Sequence, residues 1–335
     1  MSYSPLVSII MPVYNSEDTL IYTINSVLHQ KFKDWQLLCI DDGSTDNSSG
    51  IISDFVKKDD RINYFYKKNS GVSDTRNFGL NLSQGEFIFF LDSDDICKTN
   101  LLSEAVSAIE KFNCDTVIFG YDSIVKGNVI KSSVPGGSIG TLVAGNDMAR
   151  LLRDGLISVV YNKLYRKSLL KHNSFENTSL GEDFLFNLDV ILKNPSICAL
   201  KESLYMYNLD SVGSLYKKFS SDRSQVLRLE YDKIVEVANV YKWSSNVTND
   251  TLNYFKIHNL SGVIMNDFRD NSPYSTGQKK SLISKEFNFY KVSVNDILAC
   301  RFLSKIELVK LVCAKLGLIR ILNILYFLKK RKVKV

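Results

Sequence analysis

Nowhere in this chain do about 20 apolar residues run uninterrupted, so no membrane-spanning helix is expected. Proline is scarce: 5 in 335 residues, with 17 glycines, which argues against long disordered linkers. The six cysteines (Cys39, Cys97, Cys114, Cys198, Cys300 and Cys313) are scattered, with no Cys-x-x-Cys and no histidine at zinc spacing. That excludes a disulfide framework and a structural zinc site, and it fits a reducing cytosol. The three histidines, His29, His172 and His258, stand alone and read as structural or solvated. Met1 to Pro5 carries no basic region, and the apolar stretch Leu6 to Val13 is short, so no secretory leader is expected.

Excess charge is also missing from most of the chain. The net charge of +6 is an average over two unlike parts. Residues 300–335 hold ten lysines and arginines against one acid, Glu307, for a net +9. The remainder is −3, so a globally basic nucleic-acid binder is excluded. A basic, apolar tail on a near-neutral body points to an anionic membrane surface. Within 306–328, however, Lys310, Lys315, Arg320 and Asn323 fall around a helix rather than on one face. A terminal helix packed on the body is therefore the alternative.

Hydrophobic periodicity supplies the fold class. Leu6 to Met11, Trp35 to Ile40, Arg61 to Tyr66, Glu86 to Leu91 and Thr116 to Phe119 read as strands. Between them, residues 17–29, 47–58, 72–82 and 98–112 read as helices. This alternation predicts an α/β domain with a mostly parallel sheet covered on both faces. Past Ser123 the pattern weakens. Lys126 to Gly140 reads as a loop or hairpin, and Gly181-Glu182-Asp183 opens a helix that stops near Pro195. From Ser220 onward nearly everything reads as helix, with a boundary near Lys217.

Polar clusters follow three of the predicted strands, at the edge where such sheets bind ligands. After Met11 comes Pro12-Val13-Tyr14-Asn15, where Tyr14 either stacks on a flat base or joins the core. After Ile40 comes Asp41-Asp42-Gly43-Ser44-Thr45-Asp46. Thr45 or Asp46 can cap the next helix, leaving Asp41 to accept a hydrogen bond from a pyrimidine N–H. After Leu91 comes Asp92-Ser93-Asp94-Asp95. Alternation puts Asp92 and Asp94 on one side of an extended segment, able to face one hard cation. Gly71 to Asn77 is a polar helix start that favours anions, and Arg76 adds a forked cation.

In order, Val7-Ser8-Ile9-Ile10-Met11-Pro12-Val13-Tyr14-Asn15, Asp41 to Asp46, Arg76-Asn77, Gly85-Glu86 and Leu91 to Asp95 resemble the family 2 glycosyltransferases. The likeness is dense over the first 95 or so residues and resumes at Tyr161-Asn162-Lys163-Leu164-Tyr165 and Gly181-Glu182-Asp183-Phe184. It implies a GT-A fold, a Rossmann-like mixed sheet with helices on both faces, followed by a helical C-terminal region. The GT-A domain would span 1–217, with a nucleotide-binding half (1–122) and an acceptor-side half (123–217), and the helical region 218–335. The donor would be a nucleotide-diphosphate sugar, most often UDP-linked. By the same resemblance Pro12, Tyr14 and Glu17 surround the base, Asp41 contacts uracil and Arg76 helps hold the nucleotide. Asp92, Ser93 and Asp94 frame the diphosphate and a Mn²⁺ or Mg²⁺ ion, with Asp92 and Asp94 as metal ligands. Asp183 is then the catalytic base. Glu182 is the competing base candidate; its other role is helix-start charge. One departure stands out: the small residue usual two positions before the arginine is Asp74 here.

Processive relatives carry Gln-x-x-Arg-Trp; here Gln225-Val226-Leu227-Arg228-Leu229 lacks the Trp, so transfer of a single sugar is expected. The acceptor would be a glycan or a polyprenyl-linked saccharide in bacterial surface-polysaccharide assembly. The protein would be cytoplasmic or peripheral on the inner membrane face, and a homodimer is left open. A nucleotidyltransferase would want a Gly-rich phosphate loop after the first strand, which Asn15-Ser16-Glu17-Asp18 is not.

Overall fold

The computed structural model describes residues 5–136, 143, 145–210, 219–269, 271–300 and 302–332, with side chains to 326. The chain divides into two compact units. The first comprises Met1–Asn177, Glu182–Val212 and Asn239–Lys242; the second comprises Thr178–Gly181, Gly213–Ala238 and Trp243–Val335.

In the first unit β1 (Val7–Val13), β2 (Trp35–Asp41), β3 (Ile62–Tyr66) and β4 (Phe87–Phe90) alternate with α1 (Leu20–Leu28), α2 (Ser48–Val56) and α3 (Val72–Leu82). These four strands pair in parallel in the order β3-β2-β1-β4. Continuous apolar runs make β1, β2 and β4 suited to burial on both faces. Ile9, Leu37 and Phe89 enter one core, while Ile10, Leu38 and Phe90 enter another on the opposite face. Helix α3 lies close over the second face: a Cβ on Gly79 would come 2.4 Å from Ile10 Cγ2 and 2.8 Å from Ile40 Cδ1. Pro12 is tolerated inside β1 because pairing with β4 stops at Ile10.

After β4 come β5 (Ile96–Cys97), α4 (Leu101–Lys111), β6 (Thr116–Val125), β7 (Asn128–Ser133), α5 (Asn146–Arg153), β8 (Lys163–Arg166), α6 (Glu182–Leu192) and β9 (Ile197–Asn208). The sheet continues β4-β8-β6-β9-β5, with β7 hairpinned onto β6. Strand β8 is antiparallel to both β4 and β6, and β9 is parallel to β6. The expectation of a mostly parallel sheet therefore holds from β3 to β4; beyond β4, among the described residues, only β6 and β9 pair in parallel. The mixed sheet implied by the family resemblance is the one observed. Strands β8 and β9 escape the periodicity: β8 is four residues long, and Lys201-Glu202 interrupts the apolar pattern of β9.

The second unit is helical: α7 (Arg223–Val240, its last two residues counted with the first unit), α8 (Ser245–Asp267), α9 (Thr276–Tyr290), α10 (Val294–Leu298), α11 (Lys305–Lys315) and α12 (Ile319–Lys332). Ser275, Ser293 and Ser304 each start a helix with a reciprocal capping box. Leu260, Ile264, Phe287, Leu311, Ile319 and Leu322 share one core, so the terminal helix does pack on its own unit. The side chains of the basic cluster Lys329 to Lys334 lie outside the described residues. Among those residues no helix is long and apolar enough to cross a membrane.

Candidate active site

Four loops meet at the C-terminal edge of the parallel strands. Tyr14 leaves β1 with 52% of its surface exposed, so it belongs to no core. Asn15 turns the chain at positive φ, and its side chain accepts from the Thr45 backbone N–H at 2.7 Å. Ser16 joins the loops after β2 and β4: its N–H donates to Ser48 Oγ (2.9 Å) and its hydroxyl meets Ser93 Oγ at 2.7 Å. Thr19 and Thr23 hydroxyls both donate to the Ser93 carbonyl at 3.0 Å. Ser93 is thus the point where the β4 loop is tied to α1. Pro12 sits half-buried behind this loop.

Glu17 and Asp46 exchange caps. The Glu17 carboxylate accepts from the Asn47 N–H (2.8 Å), while Asp46 accepts from the N–H groups of Glu17 and Ser48 (both 3.0 Å). The resemblance puts Glu17 near the base; here its carboxylate sits on the first turn of α2. Asp41 is fully buried, accepting from Ser44 N–H (2.8 Å) and Tyr64 O–H (2.9 Å). Burial and this anionic partner push the Tyr64 phenol up to about 12.

Asp42, which the sequence reading passed over, builds the entry to α3. It accepts from the N–H groups of Ser70 (2.9 Å) and Gly71 (2.8 Å) and pairs with Lys67 at 2.5 Å. Lys67 also reaches Asp74 at 3.0 Å, so the unusual acid two positions before Arg76 is matched by a cation at 13% side-chain exposure. The Asp42-Gly-Ser-Thr-Asp stretch has helix-cap chemistry, and that masked the long-range role of its second acid.

Arg76 is the centre of the site. At 3% exposure its guanidinium donates to Asp183 (2.5 Å), Glu182 (3.3 Å) and Asp92 (3.0 Å), and it lies 5.3 Å from the Phe175 ring centre. Its Nε is buried without a partner. Asn77, the next residue, exchanges two hydrogen bonds with the Phe175 backbone (2.9 and 2.7 Å), fixing that ring beneath the guanidinium. The resemblance assigns Arg76 to the nucleotide; in this structure it joins the β4 loop to the start of α6. Burial pushes the Asp183 carboxyl up to about 7; Arg76 opposes, while Glu182 and Asp92 add to the rise.

The third acid after β4 has a different job. Asp95 is fully buried, accepting from the Tyr205 hydroxyl (2.6 Å) and the Asn208 N–H (2.7 Å); the Asp92 N–H donates to that same hydroxyl (3.3 Å). Strand β9 therefore clamps the loop carrying Asp92 and Asp94. Tyr161 stacks on Tyr205 (4.5 Å) and on Tyr207 (5.4 Å), with Tyr121 edge-on. In the same motif, the Lys163 ammonium is buried and donates to the carbonyls of Leu156 (2.7 Å) and Val159 (2.5 Å). Tyr165 donates to Asn187 (2.6 Å). The Tyr161 to Tyr165 motif thus forms the floor of the site. Its tyrosines could be found from sequence only with the antiparallel strands in hand.

Asp92 and Asp94 are half-buried on one loop, an oxygen-only donor pair suited to a hard cation that keeps positions for phosphate and water. Among the described residues no set of three or more His, Cys, Asp or Glu converges on a metal-sized site. The donor chemistry fits a cation shared with a bound diphosphate, not one caged by protein.

A parallel half-sheet that continues into a mixed sheet, with acids at its strand ends, defines a GT-A fold. Residues 8–173 match the model of glycosyl transferase family 2. An uncharacterized glycosyltransferase of Haemophilus influenzae is 36% identical over 191 residues, 56% of this chain and 72% of that protein. Glycosyltransferase GlyA of Streptococcus pneumoniae is 30% identical over 212 residues; the match covers 61% of this chain but only 30% of GlyA. The crystal structure of S. aureus TarS 1-349 in complex with UDP-GlcNAc shares the fold at TM-score 0.70 and 21% identity, covering 97% of this chain and 92% of that one. This chain belongs to glycosyl transferase family 2 and is a glycosyltransferase.

Proposed function

We propose that this transferase moves one sugar from a UDP-sugar to a hydroxyl of a glycan or polyprenyl-linked saccharide, with inversion at the anomeric carbon. The observation that carries this is the Arg76 bridge, which holds Asp183 and Asp92 on one guanidinium. It sets a proton acceptor beside the loop that would hold the leaving group. Asp183 accepts the proton of the acceptor hydroxyl. The hydroxyl oxygen forms its bond to the anomeric carbon as the bond to the diphosphate oxygen breaks, and UDP leaves with that electron pair. A single base on one side of the sugar and departure on the other give inversion.

Asp92 and Asp94 would hold Mn²⁺ or Mg²⁺, which when bound supplies charge to offset the leaving diphosphate. Tyr14, exposed at the end of β1, would stack on uracil. Glu182 shares Arg76 with Asp183, and its position in the first turn of α6 favours the dipole role over that of base. TarS, with the same fold, binds UDP-GlcNAc, which supports a UDP-linked donor here. The test is a panel of UDP-, GDP- and dTDP-sugars assayed for slow hydrolysis with Mn²⁺. Selective UDP-sugar turnover is expected; turnover or binding of none of them overturns the donor assignment.

A further inference from the structure

Helices α11 and α12 form a hairpin whose outer side has no described partner. Gly317, at φ +69°, makes the turn between them, and the Leu318 N–H returns to the Cys313 carbonyl at 2.8 Å. Leu311 and Ala314 from α11, with Ile319 and Leu322 from α12, enter the same core. The residues turned away from that core are nonetheless apolar: Ile306 is 65% exposed, Leu316 60% and Ile324 58%, with Val309, Leu318 and Ile321 also exposed. Single exposed apolar residues are ordinary, but six within 19 residues of one hairpin are more than chance exposure supplies and invite an interaction surface.

The cations resolve a difficulty that the sequence poses. In sequence the lysines fall all round the helices. In the structure Lys310 points inward, 8% exposed, with its ammonium 3.8 Å from the Tyr326 ring centre. Lys315 lies over Phe287 at 4.9 Å. What remains outside is an apolar surface flanked by exposed Lys305 and Arg320. The one acid of the segment, Glu307, is held in the α11 capping box by Ser304.

We infer that this hairpin is a docking surface for an anionic lipid bilayer, with Ile306, Leu316, Ile321 and Ile324 entering the headgroup boundary and Lys305 and Arg320 meeting lipid phosphates. Charge selects the occupant. A second copy would set one basic segment against another, whereas an anionic bilayer is complementary to exposed Lys305 and Arg320. The inference goes beyond the transferase reading and does not rest on it, since bilayer binding needs no sugar nucleotide.

The experiment is co-sedimentation of the full chain with vesicles of phosphatidylglycerol and phosphatidylcholine, against pure phosphatidylcholine, with sedimentation velocity in lipid-free buffer. Binding is expected to the anionic vesicles alone, and to fall with salt. Ile306→Ser/Ile321→Ser/Ile324→Ser should abolish it. Lys305→Gln/Arg320→Gln should weaken it about fivefold per lost charge, with unchanged thermal melting as the check on folding. Failure of the wild type to bind anionic vesicles overturns the inference, as does undiminished binding by both variants. A lipid-free dimer that the triple substitution disperses, without vesicle binding, would assign the surface to a second copy instead.

Discussion

At the scale of single residues, the proposed chemistry turns on Asp183 and its contact with Arg76. The Asp183 carboxyl stands at about 7, raised chiefly by burial, against about 4 for an ordinary carboxylate. A base works ionised, so kcat/KM should climb with pH to a plateau above neutrality; a flat profile from pH 5 to 8 would count against Asp183. The same shift means the ionised group costs folding stability. Its contribution is most favourable below about pH 4 and is lost as pH rises through about 7. Arg76 touches Asp92 and Asp183 through different nitrogens, an arrangement a lysine cannot reproduce. Arg76→Lys should lower kcat by about 100-fold or more, the loss expected when a base is misplaced, with a smaller change in UDP affinity measured by calorimetry. Equal losses in both would point to direct nucleotide binding. Asp92, Asp94 and Asp183 can be picked out as candidates from sequence because each lies in a short run with its strand or helix beside it. Asp42 and Asp95 are not, because their partners are 25 to 113 residues away.

At the scale of elements, β9 and α3 set the site's geometry. The Tyr205 hydroxyl donates to Asp95 and also receives the Asp92 N–H. Tyr205→Phe should cost about 1–3 kcal/mol, the penalty for a buried acceptor left short of a partner, seen as a lower melting temperature. It should also weaken UDP binding in the presence of Mn²⁺, because the loop after β4 loses its clamp. A melting temperature lowered with UDP affinity intact would detach β9 from the site. Gly79 tests the other side of the sheet. Gly79→Ala drives a methyl into Ile10 and Ile40 and should cost about 1–3 kcal/mol by overpacking, measured by urea unfolding. A neutral or stabilising result would show that α3 has room to move from the sheet. The first four strands and three helices follow directly from apolar runs and helical spacing, because local pattern dictates parallel βαβ units. The mixed half does not: short β8 and interrupted β9 are strands by virtue of their neighbours.

At the scale of the whole molecule, the α/β unit carries every residue placed in the proposed chemistry, and the helical unit carries the proposed bilayer surface. The helical character of the C-terminal region was legible from spacing. The outward face of its last hairpin was not, because helical spacing alone does not tell that Lys310 turns inward. The central proposal is that Asp183 takes the acceptor's proton while UDP is held elsewhere in the site. It is met most directly by Asp183→Asn, assayed for UDP release from the UDP-sugar with acceptor and for UDP binding by calorimetry with Mn²⁺. Turnover should fall by about 100- to 10,000-fold while UDP binding is retained. Turnover equal to that of the unaltered enzyme would contradict it.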